Sequence, residues 1–217
     1  MGIISGLFDL LFPPRCAFCK RILKSGEKGM CVKCSDSISR TREGGAQKGE
    51  FFSVCVSPLY YEGKVRESIL RFKFNDRTVY AKLYGRLIAD CIRENLEGRY
   101  DIITWVPLSS KRKKKRGYDQ AMLLAMAATL QLDDVAVELL NKHTDVPAQS
   151  SMGDASRRRA NISGVYEVTD RELVRGKRVL LIDDIITTGS TLSECAKTLK
   201  LSGAQEVLCC TLARTRE

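Results

Sequence analysis

The chain has 217 residues, 44% hydrophobic and 29% charged, with 36 Lys and Arg against 26 Asp and Glu and a formal charge of +10. This is ordinary globular composition with room for one sizeable core plus a small module, and the positive balance favours anionic partners without choosing among them. No run reaches the ~18 apolar residues of a transmembrane helix, and an odd number of cysteines, nine, argues against a fully disulfide-bonded secreted protein.

Residues 1–12 suggest a short amphipathic helix or anchor, stopped by Pro13-Pro14. The stretch lacks the basic leading region and small-residue cleavage site of a signal peptide, and Gly6 stands where a myristoylation signal wants Ser or Thr. A cytoplasmic location is the default expectation. Next come two C-x2-C knuckles, Cys16-Ala-Phe-Cys19 and Cys31-Val-Lys-Cys34, eleven residues apart. Each knuckle can aim two thiolates at one centre, and together they make the four-sulfur shell of a structural zinc site. Lys20, Arg21, Lys24 and Lys28 lie between the knuckles and would offset its negative charge. So short a segment has little core of its own, so metal binding would supply its folding energy. A pair of redox dithiols and an iron–sulfur cluster are the alternatives. The other five cysteines, Cys55, Cys91, Cys195, Cys209 and Cys210, are expected as buried small residues.

Composition divides the chain into an N-terminal helix and metal module over 1–40, a polar, Gly-rich linker over 41–50, and a second domain over 51–217. In that domain strands are expected at 54–61, 101–106, 135–139, 177–182 and 206–213, with a weak hairpin arm at 165–168. Helices are expected at 65–74 and 80–95, from apolar spacings of three and four, at 119–130, rich in Ala, Leu and Met, and at 190–202. Strands alternating with helices argue a mainly parallel sheet.

Strand 101–106 is followed by six consecutive cations, Lys111 to Arg116, and then Gly117-Tyr118-Asp119-Gln120. Six like charges repel and resist burial, so a solvated loop is the plain expectation. Its place after a strand also suits a pyrophosphate or a nucleic-acid backbone, with Tyr118 or Phe74 available to stack on bases.

Val179 to Thr191 reads V-L-L-I-D-D-I-I-T-T-G-S-T. An apolar run ends at Ile182, the acidic pair Asp183-Asp184 follows, and a small-residue loop leads into a helix. Ligands of open α/β sheets bind beyond the carboxyl ends of strands. Two carboxylates can accept from the vicinal diol of a ribose. The loop and the helix N-terminus suit a phosphate. A Walker A loop is excluded because no Gly-Lys-Ser/Thr is present. A receiver domain would place its acidic pair after an early strand, whereas here only one strand remains.

This stretch resembles the 5-phosphoribosyl-1-pyrophosphate (PRPP) motif of type I phosphoribosyltransferases. The resemblance implies that Asp183 and Asp184 hold the ribose hydroxyls and that Thr187, Thr188, Gly189, Ser190 and Thr191 wrap the 5′-phosphate. Further ordered motifs are L-F-P-P-R-C before the first knuckle, V-P-L after the 101–106 strand, K-K-R-G-Y-D-Q-A, and R-x-x-N-I-S-G-V-Y over 158–166. With them the chain resembles the ComF family of bacterial competence-associated proteins over nearly its whole length. The implied fold is α/β, a type I phosphoribosyltransferase-like, mainly parallel sheet flanked by helices, with a small N-terminal four-cysteine zinc module.

By position, Arg112 and Arg116 to Gln120 match one family element, and Gln149, Arg158 and Asn161 match another. Lys142, His143 and Thr144 stand near where the family usually has an Arg and a Thr. The resemblance implies zinc as a structural ion, Mg²⁺ accompanying PRPP, and a role in natural transformation, DNA uptake and the handling of single-stranded DNA. A DNA-uptake helicase or another competence protein is an implied partner. Arg112, Lys115, Arg116 and Arg158 are expected to meet pyrophosphate or nucleic acid. Were the chain a glycosyltransferase, Asp183 and Asp184 would fix the ring while pyrophosphate leaves C1. The acceptor is not readable. A transferase for a small acceptor and a non-catalytic PRPP sensor therefore stand beside the DNA-handling reading.

Overall fold

A computed structural model of the protein describes residues 13–74, 78–142 and 164–216. In chain order the elements are α1 (Val32–Ser37), β1 (Val54–Val56), β2 (Leu59–Tyr60), α2 (Gly63–Phe74), α3 (Ala81–Leu96), β3 (Ile102–Trp105), α4 (Ser110–Arg116), α5 (Gln120–Leu132), β4 (Leu140–Lys142), β5 (Tyr166–Val168), α6 (Arg171–Val174), β6 (Arg178–Ile186), α7 (Ser190–Leu201) and β7 (Glu206–Arg214).

The main sheet is parallel, in the order β1-β7-β6-β3, with β2 also on β7. The apolar runs of β6 and β7 follow from their central place. Leu180, Ile182, Leu208, Cys210 and Leu212 face one core, with α2, α3 and α5, while Val179, Leu181, Val207 and Cys209 face another, with α7. A strand covered on both faces has no polar side to alternate with. The five cysteines outside the knuckles are buried, as their apolar settings suggest. Gly85 of α3 lies against α5, where an added Cβ would come within 2.5 Å of the Ala127 backbone, so only glycine permits that approach.

Four expectations change. The strand at 54–61 is two short strands broken at Ser57-Pro58. Residues 135–139 contribute only the bridge of Ala136 to Ile103, and pairing resumes at β4, antiparallel to β5. β6 does not stop at Ile182. It carries the acidic pair inside the strand, with Asp183 in register with Thr211 and Ile186 with Arg214. The basic run is a helix rather than a loop: Ser109 caps its start by accepting from Arg112 N, and Gly117 ends it in the left-handed region.

Residues 41–50 run along the sheet rather than hanging free. Gln47 bridges Cys55, Thr41 Oγ1 donates to Ser57 O, and Arg214 Nη1 donates to Gly45 O at 2.6 Å. The four-cysteine module shares a core with the larger body: Cys16, Phe18, Cys31 and Cys34 cluster with Phe72, Leu83 and Tyr84. Residues 1–12, with their expected helix, lie outside the described residues.

Asp119 joins the fold to the site. It is buried, caps α5 by accepting from Met122 N at 3.1 Å, and accepts from Leu108 N at 2.8 Å. The second bond ties α5 to the segment leaving β3. Asp119→Ala should cost about 2 kcal/mol, the sum of a lost cap and an unsatisfied N–H, and Asp119→Asn less. Urea unfolding measures this, and an alanine variant as stable as the parent would contradict the tie.

Candidate functional site

The C-terminal ends of the parallel strands form one edge, and β6 reaches furthest there. β3 pairs with β6 only as far as Ile182, where Val106 N donates to Ile182 O. Beyond that point the β3 side of β6 is open, and the next two residues are Asp183 and Asp184. Successive side chains on a strand face opposite ways. Asp184 meets Lys73 of α2, with Nζ 2.7 Å from Oδ2 and only 17% and 14% of the two side chains exposed. Asp183 lies with Tyr166 of β5 and Cys195 of α7, whose acidities it depresses.

Burial pushes the Asp183 carboxyl up to about 8, and the adjacent Asp184 pushes the same way. The Asp184 N–H, donating to Asp183 Oδ1 at 2.7 Å, and Lys73 oppose this without cancelling it. Burial similarly raises the buried Asp119, another contributor to the negative field at Asp183.

After Ile186 the chain turns through Thr187 and Thr188 to Gly189, which takes φ +73° at the N-cap of α7. A side chain there would be strained. Thr188 Oγ1 and Ser190 Oγ are hydrogen-bonded at 2.9 Å, and Thr187, Thr188 and Thr191 are exposed. The first N–H groups of a helix have no intrahelical acceptors. A hydroxyl-bearing turn and the N-terminus of α7 thus follow directly on the acidic pair in the chain, groups of the kind that can hydrogen-bond an anion.

The basic helix α4 leaves the neighbouring strand on the same edge. Lys111 to Lys114 are exposed. Arg112 is close enough to Tyr166 to counter part of the rise that burial gives its hydroxyl. Arg116 is tied down: its guanidinium donates to Gln120 Oε1 at 2.7 Å and lies 5.0 Å from the centre of the Phe74 ring. Tyr118 is turned inward at its tip: its hydroxyl donates to Phe72 O and its ring is tilted against Phe72. Phe74 is 62% exposed, with Arg116 over its ring. Lys115 belongs to α4. Arg158 lies outside the described residues, as do His143, Thr144, Gln149 and Asn161.

Cys16, Cys19, Cys31 and Cys34 form the candidate metal centre, their sulfurs all within 4.8 Å of one another. A tetrahedral zinc site with Zn–S of about 2.3 Å sets sulfurs about 3.8 Å apart. Cys19 and Cys31 are already 3.7 Å apart. Cys31 N donates to Cys16 Sγ at 3.5 Å and Cys34 N to Cys31 Sγ at 3.4 Å. Burial raises the Cys31 thiol, yet the Cys34 N–H and the Arg21 guanidinium outweigh it and hold the group at about 6. Burial and the neighbouring sulfurs push Cys34 the other way. Sulfurs in mutual conflict suit a dication, and this donor set supports structural zinc.

Lys73 escaped the sequence reading. Nothing local marks a lysine in the last turn of a helix as the partner of a carboxylate 111 residues later, and helix-end lysines are common for dipole reasons alone. The capping role of Asp119 was legible in principle, because Asp precedes an apolar helix there.

The Phosphoribosyl transferase domain family matches residues 114–217, and the Double zinc ribbon domain family matches residues 7–46. Residues 7–46 contain four cysteines and no histidine, the ligands of one site. Competence protein F of Haemophilus influenzae is 28% identical over 222 residues, which cover 92% of this chain and 96% of that protein. DNA utilization protein YhgH of Escherichia coli K12 is 28% identical over 215 residues, covering 92% and 90%. Competence protein ComFC of Streptococcus pneumoniae is 27% identical over 186 residues, covering 85% and 76%. Among the described residues no helix is long and apolar enough to cross a membrane.

The raised Asp183 has a consequence for stability. Its carboxyl goes from an ordinary value of 3.8 to about 8 on folding. Between these values the folded chain holds a proton that the unfolded chain has shed, so stability falls as pH rises through this window. Urea unfolding at about pH 5 and about pH 8 should show a smaller loss for Asp183→Asn than for the parent. Equal losses would contradict the shift.

Proposed function

We propose that the chain is a ComF-type competence protein, a zinc-ribbon module joined to a phosphoribosyl transferase domain, that binds PRPP at the end of β6 and handles single-stranded DNA during uptake in the cytoplasm, a reading supported by its relatives and family matches. The observation that carries the reading is the juxtaposition at residues 183–191. Two carboxylates stand at the open end of a central strand, and a hydroxyl-rich turn with a left-handed glycine delivers a helix N-terminus beside them.

The two ends of a ribose-5-phosphate match this order. Asp183 and Asp184 accept from the ring hydroxyls, and residues 187–191 surround the 5′-phosphate. An accompanying Mg²⁺ would screen the pyrophosphate, and Arg112 of α4 is the described cation that would lie beside it. Arg158, outside the described residues, is carried as a further pyrophosphate or nucleic-acid contact on its sequence match alone. Zinc at the four thiolates has no open position and serves structure.

The DNA reading rests on α4 and on the relatives' names. Exposed Lys111, Arg112, Lys113 and Lys114 project from one short helix, a cationic cluster that can track a phosphate backbone and release counterions. Arg116 and Tyr118, committed to internal contacts, contribute less.

Calorimetric titration of Mg²⁺–PRPP should give saturable binding to the parent, lost in Asp183→Asn/Asp184→Asn. A folded parent that binds no PRPP would overturn the sugar-phosphate reading. Separately, a single-stranded oligonucleotide should be retained at low salt and released as salt rises, with a shallower dependence once Lys111 to Lys114 are changed to Gln. No retention at low salt would overturn the DNA reading and leave the PRPP reading intact.

A further inference from the structure

Lys73 lies between the two regions matched by known families, and its helix touches both the metal module and the candidate ligand site. Arg71 and Lys73 are two residues apart and therefore project from opposite sides of α2. Lys73 reaches Asp184 at 2.7 Å. Arg71 Nη2 donates to Ala17 O at 2.8 Å and Phe18 O at 2.9 Å, and Ser68 Oγ donates to Ala17 O. Ala17 and Phe18 are the two residues between Cys16 and Cys19, so their carbonyls point where the first knuckle sets them. The knuckle is in turn fastened to the second by Cys31 N donating to Cys16 Sγ, and to the segment before it by Ala17 N donating to Gly29 O. A short covalent and hydrogen-bonded path thus runs from the four sulfurs, through two carbonyls and Arg71, to the ammonium beside the acidic pair.

We propose that the four-cysteine module is a clamp that positions Lys73 as the counter-cation of the ligand site, so that metal occupancy controls affinity for an anionic sugar phosphate. The proposal rests on the PRPP reading. An ionised Asp184 repels a polyanionic ligand unless a cation compensates it, and Lys73 is the cation paired with it among the described residues. A carboxylate–ammonium contact is strong only at short range, so a small displacement of α2 weakens it. Loss of the metal frees the knuckle, loosens the carbonyls under Arg71 and lets α2 shift. Lys73 and Arg71 are positioning residues in this scheme: neither performs a chemical step.

The test is a thermodynamic cycle read by calorimetry with Mg²⁺–PRPP, with metal content and circular dichroism recorded for every sample. Lys73→Met should bind about tenfold more weakly with its metal retained, as expected for loss of one charge-assisted contact. Arg71→Ala should also lose severalfold, but Lys73→Met/Arg71→Ala should bind no more weakly than Lys73→Met alone, because both changes act through one group. Removing the metal by chelation should weaken the parent and leave Lys73→Met unchanged. Where the chelated chain unfolds or Arg71→Ala fails to fold, Arg71→Lys replaces that arm, keeping the charge but not the paired carbonyl bonds. Losses that add in the double variant would overturn the clamp while the PRPP reading stands. A folded, metal-loaded parent that binds no PRPP would remove the reading itself, and the clamp with it.

Discussion

Two adjacent carboxylates at the end of a buried central strand are the constraint around which this molecule is arranged. β6 must be apolar where β3, β7 and two helical layers cover it, and it is so up to Ile182. Immediately beyond, two acids stand where unpaired charge would cost several kcal/mol. The fold answers with a different device for each. Asp184 receives the Lys73 ammonium, and Asp183 stays in a setting that favours its protonated form. Pairing with β3 ends one residue earlier, at Ile182, so the acidic pair is not covered by that strand.

The other elements support that edge. α5 is tied to the exit of β3 through Asp119, which accepts from both Leu108 N and Met122 N. α2 is held between the metal module and the sheet, with Phe72 edge-on to Tyr84 at 5.4 Å and the module's Phe18 close by. The module is too small to bury a core of its own, and it shares one with α2 and α3. What composition suggests as two bodies on a linker is packed as a continuous structure, with residues 41–50 hydrogen-bonded along the sheet.

Much of this was legible from residue order. The knuckle spacing determined which four sulfurs meet, and the apolar runs at 179–182 and 206–213 pointed to the buried central strands. The acidic pair and the loop after it pointed to the strand end at which the ligand is proposed. The continuation of β6 through Asp183 and Asp184 was hidden, because acidic residues usually end strands and only pairing with β7 reveals that these do not. Charge repulsion argues for a loop over the basic run, but its local caps, Ser109 and Gly117, prevail and make it a helix. Lys73 could not be found at all from local pattern. Its role depends on where α2 lands, and that is decided by contacts with a module some fifty residues away.

A crystal structure of the metal-loaded protein with Mg²⁺ and PRPP tests the central claim most directly. The account predicts ribose hydroxyls within hydrogen-bonding distance of Asp183 and Asp184, the 5′-phosphate enclosed by residues 187–191, and Lys73 still beside Asp184. A sugar phosphate seated elsewhere, or held at this edge without either carboxylate, would contradict it.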